Sequence, residues 1–185
     1  MNAITARGAT RLIDRLPPVR GRLIPDAPLA PITWFRAGGK AEVVFRPADR
    51  EDLARFLAAK PKDVPVTVIG VASNLLVRDG GIAGVVVRLS RAFANIAIDG
   101  TSVTAGAAAM DGTIAGECRD AGVAGFEFLS GVPGTLGGAL AMNAGAYGRE
   151  LKDVVTEVEA LDATGTLHRL TPAQWAPRYR GCGTP

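Results

Sequence analysis

The chain is 185 residues long, 48% hydrophobic, 5% aromatic and 21% charged, with a net charge of +3. That length suits one domain or two small ones, and the apolar share supplies a core of Val, Leu, Ile and Ala, which excludes a disordered or low-complexity chain. No apolar run approaches the ~20 residues of a membrane-spanning helix, so membrane insertion is not expected.

The positive excess gathers at Arg7, Arg11, Arg15, Arg20 and Arg22, against Asp14 alone before Asp26. No nucleic-acid-binding motif follows it, so nucleic acid is not expected as a partner. Cys118 and Cys182 form no CxxC pair and read as thiols of a reducing cytoplasm. Ile4, Leu12, Ile13 and Leu16 suit a short helix over 2–16, docked on a domain and stopped by Pro17-Pro18. The arginine-rich, acid-poor start also fits a transit peptide. A proline-punctuated linker runs to Pro31.

Ala41 to Phe45 then reads as a strand after a Gly38-Gly39 turn. Asp49 caps a helix with Leu53, Phe56 and Leu57 on one face. Val64 to Ile69 and Val85 to Leu89 are further strands, which makes a small β-α-β-loop-β unit. Ile96 to Ile98 and Val103-Thr104 flank Asp99-Gly100, a type I′ hairpin signal. Asp111 caps a helix ending near Ala121, with Gly122 as its left-handed terminator. A second hairpin pairs Val154–Leu161 with Leu167–Leu170, and Thr171 caps a last short helix with Pro172 at its first position. The expected architecture is α+β in two parts divided near residue 90. Residues 1–24 form an N-terminal arm, 25–90 a first subdomain and 91–185 a second. That second part ends in a loop, so we expect more chain beyond it.

Two stretches carry candidate chemistry. The first follows a strand and runs Gly70, Val71, Ala72, Ser73, Asn74, Leu75, Leu76. Its amides can converge on one point, Ser73 and Asn74 add donors, and it holds no carboxylate, as a pyrophosphate requires. A hydrogen-bonded Ser-Asn turn is the alternative. No GKS or GKT and no GxGxxG occurs, which excludes Walker and Rossmann phosphate loops. The second stretch, LSGVPGTLGGALAMNAGAYG at 129–148, is uncharged. It offers Gly131, Pro133, Gly134, Thr135, Gly137, Gly138, Asn143, Gly145, Ala146 and Tyr147. It is either an anion cradle leading into a helix N-terminus or a glycine-rich turn between core elements. Two such loops suit a dinucleotide that carries its own redox chemistry.

Tyr179-Arg180 is either a carboxylate clamp or a solvated pair. His168, the only histidine, reads as a cross-strand residue, with no second histidine for a metal site. Glu127 is either exposed by strand alternation or bonded to loop amides. Trp34 and Trp175 read as packing anchors.

TWFRAGG at 33–39, IGVASNLLVRDGGIAGVVVRL at 69–89 and GFEFLSGVPGTLGGALAMNAGAYG at 125–148 resemble the UDP-N-acetylenolpyruvoylglucosamine reductases, over about Pro31 to Arg180. The resemblance implies a two-part FAD-binding region of the vanillyl-alcohol-oxidase/cresol-methylhydroxylase (PCMH) type. It implies NADPH as electron donor and reduction of an enolpyruvyl UDP-sugar to UDP-N-acetylmuramate for peptidoglycan. It assigns the pyrophosphate to the 70–76 loop, and flavin and phosphates to 131–147. Arg180 would stabilise the enolate, with Tyr179 beside the substrate.

The chain departs from the family at Ala72, usually glycine, and at Gly181, usually a larger polar residue. An extra methyl at 72 either crowds the backbone or sits at negative φ. The family's proton-donating serine, its C-terminal glutamate and its substrate domain have no counterpart here, so the chain is expected to hold FAD without being catalytically complete. Competing readings are a cofactor-free binding module and a FAD-binding subunit of a larger oxidoreductase.

Overall fold

A computed structural model describes residues 10–183. Most of the helix expected over 2–16 lies outside the described residues. Within them, Leu12–Arg15 makes a single 3-10 turn. Leu12 is buried in the cluster around Phe45 and Phe56, and Arg15 grips both oxygens of the Asp63 carboxylate at 2.6 and 2.9 Å.

The first sheet contains β1 (Arg22–Pro28), β2 (Lys40–Arg46), β3 (Val66–Ile69) and β4 (Ile82–Arg88). Its order is β1-β2-β4-β3, with β2, β4 and β3 parallel and β1 antiparallel to β2. β1 corrects the sequence reading, which took this stretch for a linker because of Pro25 and Pro28. Proline is tolerated in an edge strand, where its missing N–H faces no partner strand, and β1 lies at the edge. β4 is central. Val85, Val86 and Val87 are each 0% exposed, as expected of a parallel strand covered on both faces. Val85 and Val87 pack with Phe45 of β2 and Phe56 of helix α1 (Arg50–Ala59), while Val86 packs with Leu29, Val44 and Val77 on the other face.

One buried carboxylate ties the start of the chain to this unit. Asp49 caps α1 as expected, and Asp52 in its first turn accepts hydrogen bonds from the amides of Arg20 (2.8 Å), Gly21 (2.9 Å) and Ala48 (3.0 Å). Burial pushes the Asp52 carboxyl up, but these amides and the Arg20 charge together hold it below the usual carboxylate range. Its contribution to stability is therefore present above the ordinary carboxylate pKa and is lost as pH falls. Asp52→Ala orphans three amides at once and should cost about 3 kcal/mol in a urea melt.

The second part begins with the hairpin of β5 (Ile96–Asp99) and β6 (Ser102–Ala105). Asp99 pairs with Ser102, so the turn residues are Gly100-Thr101 rather than Asp99-Gly100. Of these two only Gly100 has positive φ, as in a type II′ turn and not the type I′ expected. Helix α2 (Asp111–Asp120) follows, then a 3-10 turn at Glu127–Gly131, then helix α3 (Leu136–Met142). β7 (Gly145–Ala146) and β8 (Arg149–Glu150) form a hairpin closed by Tyr147-Gly148, both at positive φ.

β9 (Val158–Leu161) and β10 (Leu167–Leu170) pair as expected, and helix α4 (Pro172–Trp175) carries the Thr171 cap. β9 starts four residues later than predicted, because a 3-10 turn at Leu151–Asp153 captures the Val154 and Val155 amides on the Leu151 carbonyl. Glu127 sits in a 3-10 turn, not a strand, and accepts the Gly125 amide at 2.9 Å. His168 lies on β10 and bonds Asp162 across the hairpin at 2.8 Å.

Trp175 anchors the core of this second part: it is 2% exposed and donates to the Leu140 carbonyl at 3.2 Å. Trp34 does not act as the packing anchor expected of it. It is 66% exposed, beside Phe35 at 62%. Among the described residues no helix is long and apolar enough to cross a membrane, and no cluster of three or more His, Cys, Asp or Glu could hold a metal ion.

Candidate cofactor-binding cleft

The loop at 70–76 leaves the carboxyl end of β3, the place where parallel sheets present ligand sites. It meets the 129–148 stretch directly. The Ser73 hydroxyl donates to the Pro133 carbonyl, and a Cβ built on Gly70 would lie 2.4 Å from Thr135 Oγ1. Between the two stretches runs a cleft of about 880 Å³, within the range of cofactor pockets.

The cleft wall contains Gly70, Val71, Ala72, Ser73, Asn74 and Leu75 from the first stretch. The second contributes Pro133, Gly134, Thr135, Gly138, Asn143, Gly145 and Ala146, and Tyr179 and Arg180 also line the cleft. Four candidates fall outside the wall. Leu76 points to solvent at 69% exposure. Gly131 seats the Tyr147 ring, since a Cβ at 131 would come within 2.7 Å of Tyr147 Cε2, and Tyr147 itself is 83% exposed. Gly137 gives its N–H to the Ala107 carbonyl at 2.9 Å and is pressed against that residue.

The N-terminus of α3 is thus less open than its glycines implied. The amides of Leu136 and Gly137 are both taken, by Ala109 and Ala107 at 2.9 Å each. Asn143 is likewise engaged. It ends α3 in the left-handed conformation, accepts the Lys152 amide at 3.0 Å and donates to Glu150 at 2.9 Å.

Backbone strain gathers here. Of seven non-glycine residues with positive φ among the described residues, four (Ala72, Asn143, Tyr147 and Arg180) lie in the candidate stretches. Such conformations persist where surrounding structure over-determines them. Ala72 has φ +53, so the negative-φ alternative does not hold; this is a conformation that glycine adopts freely. Arg180 sits in a tight 178–181 turn, its Nε donating to the Tyr179 hydroxyl at 3.4 Å and its guanidinium 5.7 Å from that ring's centre. Gly181 is not demanded by this turn, because a Cβ there would meet only the Arg178 side chain, at 3.3 Å.

Sequence reading missed Asp111. It was expected to cap α2, but Met110 holds the cap position and Asp111 is the first helical residue. Its side chain is 0% exposed, and neither carboxylate oxygen has a hydrogen-bond partner. Burial pushes its pKa up to about 7. This acid belongs to the cleft wall, although neither candidate stretch itself carries a carboxylate. Nothing local marks it: its burial comes from Gly134 and the loops packed over it. The cleft's other charges are Arg149, Glu150, Lys152, Asp153 and Arg180.

These residues fit FAD. Glycines let backbone approach a long ligand, and one buried polar group still lacks a partner. The Arg149, Lys152 and Arg180 side chains supply positive charge for a pyrophosphate. The fold and cleft define a flavin-nucleotide-binding α+β protein of the vanillyl-alcohol-oxidase/PCMH type. Residues 41–171 match the FAD binding domain family, and the chain belongs to that family.

Its relatives are more specific. The UDP-N-acetylenolpyruvoylglucosamine reductase of Parvibaculum lavamentivorans is 60% identical over 98% of this chain and 59% of its own length. That of Rhodospirillum rubrum is 59% identical over 98% of this chain and 57% of its own. The crystal structure of the Thermus caldophilus enzyme superposes with a TM-score of 0.75 at 31% identity, covering 90% of this chain and 57% of that one. The 6-hydroxy-D-nicotine oxidase of Arthrobacter nicotinovorans shares the fold at a TM-score of 0.63 and 19% identity, over 91% of this chain and 38% of that one. The motif resemblance to the reductases therefore holds. The chain spans a little under three fifths of the length of the two curated relatives, 59% and 57%.

Proposed function

We propose that this chain is the FAD-holding portion of a reductase that uses NADPH to convert an enolpyruvyl UDP-N-acetylglucosamine to UDP-N-acetylmuramate in the cytoplasm. The observation that carries this reading is the pairing of a two-loop glycine cleft with Tyr179-Arg180 in its wall. FAD, when bound, supplies the hydride carrier between the nicotinamide and the enolpyruvyl double bond.

In this reading the loop at 70–76 and the residues at 133–135 take the pyrophosphate, Gly138 and Gly145-Ala146 lie along the cofactor, and Arg180 places its charge where the enolate develops. Gly131, Gly137 and Tyr147 shape the cleft from behind. The division near residue 90 then separates two halves that clasp one cofactor.

We further read the 185-residue segment as unable to turn over by itself. Of the acids in its cleft, Glu150 is engaged by Lys152 and Asn143, Asp153 accepts the Glu150 amide, and Asp111 is buried. In this reading none of them is the acid that protonates the substrate carbon.

Denaturing the purified protein should release FAD. Adding FAD at a hundred times its Kd to stripped protein should stabilise it by about 2.7 kcal/mol, read as a rise in melting temperature. Protein that neither releases flavin nor responds to it would be the cofactor-free binding module instead. Reduction of the enolpyruvyl sugar by these 185 residues alone would refute the inactivity reading.

A further inference from the structure

We propose that Asp111 is a cofactor-binding residue that acts as a neutral carboxylic acid, its O–H donating a hydrogen bond to a pyrophosphate oxygen of FAD seated between Gly134 and Ser73. This rests on the FAD reading of the cleft. The geometry is specific. The missing Cβ of Gly134 would point at Asp111 Oδ2, 3.1 Å away, with Ser73 Oγ 3.7 Å away on the same side. One acceptor oxygen beside that space is within reach of both groups.

The Ser73 hydroxyl donates to the Pro133 carbonyl, which ties the two loops together beside Gly134. An oxygen that takes the Ser73 hydroxyl in place of the Pro133 carbonyl also lies beside Asp111. The carboxyl then gains the partner it lacks, which matters because an unpaired buried polar group is costly.

The protonation state follows from charge. An ionised carboxylate beside a pyrophosphate would repel it, whereas the protonated acid donates. The surroundings favour the proton. Asp111 opens α2 beside Ala109, Ile114 and Ala115 of the core, its amide bonds the Gly134 carbonyl at 3.2 Å, and Ser73 and Thr135 are uncharged. The helix N-terminus favours the anion, but burial outweighs it, and no charged neighbour among the described residues contributes. Arg149, Glu150, Lys152, Asp153 and Arg180 face the same cleft without shifting it. The pyrophosphate diester of FAD has no proton to lose near neutral pH, so a pH dependence there reports the protein.

The test is FAD affinity of stripped protein, read by flavin fluorescence from pH 6 to 8.5. Wild-type affinity should be flat below the Asp111 pKa of about 7 and fall about tenfold per pH unit above it. Asp111→Asn keeps a donor and should bind with the wild-type pH 6 affinity across the whole range, hence more tightly than wild type at pH 8.5. Asp111→Ala should bind about 10- to 100-fold more weakly at pH 6 with no pH dependence, its fold checked by circular dichroism. A purely stabilising role would leave Asn and Ala variants with the same affinity, and that result, or a flat wild-type profile, overturns the proposal alone. A wild-type protein that takes up no FAD at any pH overturns the flavin reading together with it.

Discussion

Raising the pH from 4 to 8 costs the FAD-free protein about 4 kcal/mol of stability through Asp111, and Asp111→Asn lacks that slope. The folded-state pKa is raised to about 7 from the ordinary 3.8. Between those values the native state keeps a proton that the unfolded chain has lost. Stability therefore falls with rising pH throughout that window and levels off above about 7. Roughly three pH units at about 1.36 kcal/mol each give the 4 kcal/mol.

Other carboxylates act oppositely. Asp52 and Asp162 are held below their usual range, so their contribution is present at neutral pH and is lost on acidification. The comparison must therefore be wild type minus variant at each pH, which cancels them. For a chain of this size 4 kcal/mol corresponds to roughly 8–16 °C in melting temperature. Asn itself leaves a buried amide unpaired and lowers stability at every pH, so the slope is the observable. Parallel slopes for wild type and variant would show that Asp111 is ionised in the folded protein.

The second large effect is at Gly70. Its Cβ position lies 2.4 Å from Thr135 Oγ1, closer than real contacts allow. Thr135 has little room to yield: it is 6% exposed, β-branched, and precedes two amides already tied to Ala109 and Ala107. Gly70→Val should drive the two loops apart, destabilise the fold by about 1–3 kcal/mol and weaken FAD binding by two orders of magnitude or more, roughly the loss of two hydrogen bonds to a charged group.

Gly138→Ala is the matched control. A Cβ there meets nothing nearer than Thr135 Oγ1 at 3.9 Å, and alanine inside α3 should stabilise by about 1 kcal/mol. Because Gly138 lines the cleft, its substitution should still weaken FAD binding. Melting curves and flavin titration of both variants decide the matter, and a Gly70→Val protein that binds FAD within threefold of wild type would contradict the two-loop site.

What the sequence alone determined about this protein are the features with local causes. Asp49 before an amphipathic run makes a capped helix, Thr171-Pro172 opens α4, and Gly122 ends α2 at φ +72 because only a residue without a Cβ adopts it freely. The two glycine-rich stretches stand out by composition but each stays open to a second reading as a turn, and Tyr179-Arg180 to a solvated pair. Features set by distant neighbours could not be read from the residues alone. Pro25 and Pro28 belong to a strand because β1 has an edge to occupy. Trp34 is exposed and Gly137 is a packing contact because of what lies opposite them. Asp111 is the sharpest case: as a residue in a sequence it is an ordinary helix-starting acid. It becomes a buried, unpaired carboxyl with a pKa raised to about 7 only because the fold packs the distant Gly134 loop against it.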